Sequence, residues 1–132
     1  MFKYSHIIKF HEVDAAGIIF FANVYKIAHD AYQNFLFSLD LDENYFESKH
    51  YAIPLVHSSA DYLKPIKFND TVTIEVKVVK LGESSFELNY NFLNEKNEIT
   101  VQVETVHVMI EKENFKKTNI PEKLKKNLAK FL

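Results

Sequence analysis

The chain has 132 residues, 47% of them apolar, with 16 Lys plus Arg against 18 Asp plus Glu and a formal net charge of -2. That length suits one domain spanning residues 1–132, and the balanced charge gives no electrostatic footprint for nucleic acid. Cysteine is absent, which excludes disulfides, thiolate metal sites and cysteine nucleophiles. No HxxxH or HxH pair stands at ligand spacing among the six histidines, so no metal is expected. The N-terminus MFKYSHIIKF lacks the apolar run of a signal peptide. The longest apolar run, Ala15 to Ala22, falls far short of the ~20 residues of a membrane span. A soluble, cytoplasmic protein with no membrane partner is expected.

Phe2 to Phe10 alternates, with Tyr4, His6, Ile8 and Phe10 on one face, and predicts a strand. Val24, Ile27, Ala28, Ala31, Phe35 and Leu39 then recur at helical offsets, predicting a helix from about Ala22 to Leu39. Leu41 to His50 is charged and suits a short helical turn. Ala52 to Leu63 reads as a strand with Pro54 near its edge. Val72, Ile74, Val76 and Val78 alternate with polar residues, Gly82 offers a turn, and Phe86 to Phe92 alternates again. LNEKNE makes the next turn, and Val101 to Ile110 is a last long strand. Pro121 is placed to be the first residue of a terminal helix. Consecutive strands joined by short turns predict an antiparallel sheet with one long helix packed on it, an α+β fold. Apolar residues on both faces of the last strand, and the open sheet edges, point to contacts between subunits.

The stretch His11 to Phe21 reads HEVDAAGIIFF. Asp14 is followed by no other charge before Lys26, and Gly17 is one of only two glycines in the chain. Asp14 could simply end a strand or cap a helix. Alternatively, the acid stands beside the N–H groups and partial positive charge of a helix start, where an oxyanion could be stabilised. Gly17 would let the backbone bend or approach a ligand, and Asp14 would serve as nucleophile or general base.

DAAGIIFFAN, Asp14 to Asn23, resembles the signature loop of hotdog-fold acyl-CoA thioesterases of the 4-hydroxybenzoyl-CoA type. The likeness extends through AHDAYQNFL and IPLVHSSADYLKPIKFND, which are similar to 1,4-dihydroxy-2-naphthoyl-CoA thioesterases, and covers roughly Lys3 to Ile110. It implies a hotdog fold, one long helix wrapped by a curved antiparallel sheet of about five strands. It also implies homodimers with joined sheets that assemble into homotetramers, and active sites at the subunit interface. Asp14 becomes the catalytic carboxylate, attacking the thioester or activating water, and the Phe21 backbone N–H polarises the thioester oxygen. Gly17, Tyr25, His57, Ser58 and Ser59 become substrate-binding candidates, with His29 a further one. Lys64, Lys67 and Lys80 are candidates for the phosphates of coenzyme A, which enters as part of the acyl-CoA substrate; no cofactor is expected. The implied activity is hydrolysis of an aromatic acyl-CoA in quinone synthesis. Other aroyl or fatty acyl thioesters, or non-catalytic acyl-CoA binding, are the competing expectations. Three positions depart from the pattern. Glu12 replaces a frequent Asp, which matters little if Asp14 does the chemistry. Phe21 replaces the His of some short-chain enzymes, and Val24 precedes Tyr25 where a Tyr is common.

Overall fold

The computed structural model describes residues 1–132. Its elements run β1 (Phe2–Ile7), α1 (Phe21–Ser38), β2 (Tyr51–Ala52), β3 (Leu55–Tyr62), β4 (Thr71–Leu81), β5 (Ser85–Leu93), β6 (Ile99–Val108), β7 (Ile110–Glu111) and α2 (Glu122–Ala129). Five strands form one sheet in the order β1-β4-β5-β6-β3, every neighbour antiparallel. The short β2 and β7 pair separately.

The core follows directly from the alternation. Val72, Ile74, Val76 and Val78 of β4, Phe86, Leu88, Tyr90 and Phe92 of β5, and Val101 and Val103 of β6 are all buried on one face. The stripe Val24, Ile27, Ala28, Ala31, Tyr32, Phe35 and Leu36 of α1 is buried against them. Burial of each large side chain contributes about 1.5–3 kcal/mol, so this interface dominates the stability. The opposite face carries Asn89 and Asn91 of β5 beside Gln102 and Glu104 of β6, and Gln102 donates to Asn91 at 3.0 Å. A break in register between Val78 and Lys80 leaves the Val78 N–H to the carbonyl of Phe131 at 3.0 Å. The Phe131 ring meets Phe35 edge-on at 4.9 Å, tying the C-terminal segment to the core.

Several expected boundaries shift. The first strand stops at Ile7, because its partner β4 begins at Thr71. Ile8 remains buried, but Phe10 lies in a 3-10 turn, Phe10–Glu12, and is 76% exposed against Phe68. Leu41 to His50 forms no helix. The Asn44 side-chain carbonyl accepts the Phe46 N–H, and the Ser48 hydroxyl accepts those of His50 and Tyr51. Such local bonds compete with a helical ladder. The strand expected from Ala52 is interrupted at Pro54, which cannot donate to a ladder. The last long strand breaks at Met109, whose N–H turns to the carbonyl of Ser84. Pro121 caps α2 from outside, and the helix starts at Glu122.

Candidate active site

The segment from Glu12 to Phe21 folds into a tight hairpin that delivers the chain to α1. The Asp14 N–H donates to the Ile18 carbonyl at 2.8 Å, and the Gly17 N–H returns to the Asp14 carbonyl at 3.0 Å. The Asp14 Oδ1 accepts the Ala16 N–H at 2.9 Å, which fixes the carboxylate's orientation. Gly17 closes the turn at φ +79°, the left-handed region that glycine enters without penalty. A side chain built there would meet no atom within 4 Å, so the demand for glycine comes from backbone conformation rather than space. Gly17→Val is therefore expected to strain the turn by about 1–3 kcal/mol and depress turnover, whereas Gly17→Asn, which tolerates positive φ, retains most of it. Steady-state rates of the two variants check this. Equal losses would mean that a ligand, not the backbone, excludes a side chain.

The hairpin is held to the sheet by its main chain. The Ile19 N–H donates to the Ile66 carbonyl at 2.8 Å and the Phe20 N–H to the Glu12 carbonyl at 2.9 Å. The Asn23 side-chain amide reaches the same Glu12 carbonyl at 3.0 Å. The side chain of Glu12 points the other way, into the protein. It is 2% exposed, lies 2.9 Å from His6 Nε2 on β1, and accepts the Lys9 N–H at 2.7 Å. Burial pushes the Glu12 carboxyl upward. The Lys9 amide and the His6 ring more than offset this, and hold it below the ordinary carboxylate range. In the sequence Glu12 is a minor departure from the family pattern and His6 lies on one face of a predicted strand. Nothing in their spacing shows that they meet, because the contact depends on a turn the alternation does not encode.

Phe20 precedes α1 in extended conformation and offers no side-chain cap. No group of the chain accepts the Phe21 N–H, which is left at the helix start with its partial positive charge. Asp14, Phe20 and Phe21 line one cleft of about 500 Å³ with Ile18, Tyr62 and Lys64. The Tyr62 hydroxyl donates to the Phe21 carbonyl at 3.4 Å, bringing β3 against the helix start. Lys64 is paired with Glu98 at the rim.

The other expected residues separate. Tyr25, His29 and Ser58 line a second cavity of about 300 Å³ farther along α1. Ser58 sits opposite Thr105, on the helix-facing side of the sheet, while His57 and Ser59 sit opposite Val106 and Glu104 on its other side. Strand alternation sends neighbouring side chains to opposite faces, so only Ser58 of the three faces the helix. Gly17 shapes the hairpin without lining the cleft, and Lys67 also lies outside its lining. Lys80 is on β4, 3.8 Å from Glu87.

An oriented carboxylate and a helix start with an unpaired amide, on residues lining one largely apolar cleft, could together cleave an acyl bond: the first would attack or activate water, the second would receive the oxyanion. On a sheet carrying one long helix, these features define an acyl-transfer enzyme of the hotdog class. The chain belongs to the thioesterase-like superfamily, whose family model matches residues 8–128. It is 31% identical to a 1,4-dihydroxy-2-naphthoyl-CoA hydrolase of Trichodesmium erythraeum, over 98% of this chain and 96% of that one. It is 36% identical to the Crocosphaera subtropica protein of that name, over 81% and 80%. Among solved structures, a 1,4-dihydroxy-2-naphthoyl-CoA thioesterase from Synechocystis superposes with a TM-score of 0.89 at 25% identity, covering 97% of this chain and 95% of that one.

Proposed function

We propose that this protein hydrolyses the thioester of an aromatic acyl-CoA, with 1,4-dihydroxy-2-naphthoyl-CoA as its substrate, in quinone synthesis. The observation that carries the reading is that Asp14 and Phe21, whose N–H has no acceptor within the chain, line one cleft. The names of the relatives supply the acyl group. The Asp14 carboxylate either attacks the thioester carbon, expelling the coenzyme A thiolate and forming a mixed anhydride that water opens, or takes a proton from the water that attacks. In both routes the carbonyl oxygen gains charge and the Phe21 N–H meets it. Phe20, Phe21 and Tyr62 give the cleft aromatic walls suited to a flat acyl group. Lys64, and beyond it Lys67, stand as contacts for the phosphates of coenzyme A, with Lys64 exchanging Glu98 for the ligand.

The reading includes a homodimer joined along the free edge of β3 and assembling into homotetramers. Leu55, Val56, Tyr62 and Leu63 are 41–58% exposed there, and an uncovered edge with apolar side chains calls for a partner. No helix is long and apolar enough to cross a membrane, and the reading places the enzyme in the cytoplasm without a cofactor.

Free thiol release from a panel of dihydroxynaphthoyl, benzoyl, short-chain and long-chain acyl-CoAs tests the substrate. The dihydroxynaphthoyl ester should give the highest kcat/KM. A fatty acyl ester turned over faster, or binding without thiol release, would overturn the assignment.

A further inference from the structure

Apart from His6 with its partner Glu12, the buried face of the sheet carries one connected group of polar side chains that the chemistry at Asp14 does not use. His107 and Thr105 of β6 point inward two residues apart, and Tyr90 of β5 lies diagonally across from Thr105. His107 is fully buried, stacked between Phe86 at 4.9 Å and Tyr32 at 4.5 Å. Its Nε2 lies 2.8 Å from the Thr105 hydroxyl, which lies 3.1 Å from the Tyr90 hydroxyl. His107 Nδ1 is buried with no partner. Burial, with a smaller contribution from His29, pushes the imidazole down to about 3, so the ring is neutral at physiological pH. Burial likewise holds the Tyr90 phenol protonated by pushing it above its ordinary value.

A neutral imidazole has one N–H, and with Thr105 donating its single O–H to one of its two neighbours the protons run in one of two directions. With the proton on Nδ1, Tyr90 donates to Thr105, Thr105 donates to Nε2, and a buried N–H is left with no acceptor. With the proton on Nε2, His107 donates to Thr105 and Thr105 donates to Tyr90. The group left unpaired at His107 is then an acceptor. The first arrangement strands an N–H at His107 Nδ1, which is sealed without a partner, whereas the second strands the O–H of Tyr90, which borders a cavity whose contents can accept it; the second arrangement therefore prevails. It leaves the Tyr90 O–H with no acceptor inside the protein. Tyr90 and Thr105 form part of the wall of the cavity lined by Tyr25, His29, Leu55 and Ser58. Tyr25 is one turn along α1 from Phe21, about 6 Å of helix rise. The cavity is thus the next space along the helix from the thioester position.

We infer that Tyr90 is a specificity-determining residue, whose hydroxyl is turned by Thr105 and His107 into a committed donor toward an oxygen on the ring of a hydroxylated aromatic acyl group. This rests on the proposed function for the placement of the acyl ring, but not for the direction of the protons. Evaluated against a ligand without that oxygen, the donor stays unpaired and binding weakens.

Two measurements test it. Nitrogen-15 NMR of histidine-labelled wild-type protein should show His107 as the Nε2–H tautomer; the Nδ1–H tautomer would overturn the inference without reference to any substrate. The second uses an Asp14→Asn background, so that esters are bound without demand for turnover. There, Tyr90→Phe should weaken 1,4-dihydroxy-2-naphthoyl-CoA binding by about three- to tenfold, the worth of one hydrogen bond, and leave 2-naphthoyl-CoA within about twofold. Equal losses for both esters, or none for either, would refute a ring contact. Thiol release by the wild-type enzyme reports separately on the proposed reaction, so an inactive protein that still shows the selective loss rejects that reaction and keeps Tyr90.

Discussion

Asp14→Asn should leave the fold and ligand affinity close to wild type while lowering kcat by at least about 10²–10⁴-fold, the usual worth of a positioned general base. The reason lies in the geometry of the hairpin. The carbonyl oxygen of asparagine can still accept the Ala16 N–H that Asp14 Oδ1 accepts at 2.9 Å, so the turn persists. What disappears is the second oxygen, with the charge and basicity needed to attack a thioester carbon or to take a proton from water. Because the Phe21 N–H is untouched, residual rate from oxyanion stabilisation should remain above the uncatalysed reaction. Parallel measurement of kcat by thiol release and of Kd by calorimetry separates the two effects. Near-native turnover would remove Asp14 from the mechanism.

The largest stability effect is expected at Glu12. Removing an acceptor so that buried donors are left unsatisfied costs about 1–3 kcal/mol for each, and more where a charged group is lost. Here Glu12→Ala strips the Lys9 N–H of its acceptor and leaves His6 facing an apolar gap. Against a total stability of about 5–15 kcal/mol for a domain of this size, that is a large share. Because the folded carboxyl is held below its ordinary range, its stabilising contribution is complete above the unfolded value of about 4.3 and is lost as pH falls through the lower folded value. Urea unfolding should therefore show a wide gap between wild type and Glu12→Ala at pH 7 that narrows in acid. A gap below about 1 kcal/mol at pH 7 would show that the buried Glu12 contacts contribute no more than a single exposed pair.

The chain order and the sheet's inner face were legible because period-2 and period-3.6 patterns map straight onto burial. The stripe from Val24 to Phe35 and the alternation from Phe86 to Phe92 both landed on the core. What misled was local competition: Asn44 and Ser48 drew backbone N–H groups away from a helix, and the loss of a partner beyond Ile7 turned Phe10 outward. At the site, Asp14 and the helix start lie within eight consecutive residues, so their association is written in the sequence. The pairings His6 with Glu12 and Tyr90 with Thr105 and His107 join separate strands or turns. They depend on register, which alternation alone leaves undetermined.

The hairpin bearing Asp14 is fastened through main-chain contacts to Ile66 and Glu12, whereas the cavity beyond it is walled by side chains of Tyr25, Leu55, Ser58 and Tyr90. On the proposed function and the role inferred for Tyr90, the reactive carboxylate and the far wall that meets the acyl ring are therefore built from different parts of the polypeptide. On that reading, retargeting to another ester is expected to need only exchanges among the wall residues, because the main-chain contacts that hold the hairpin do not involve them.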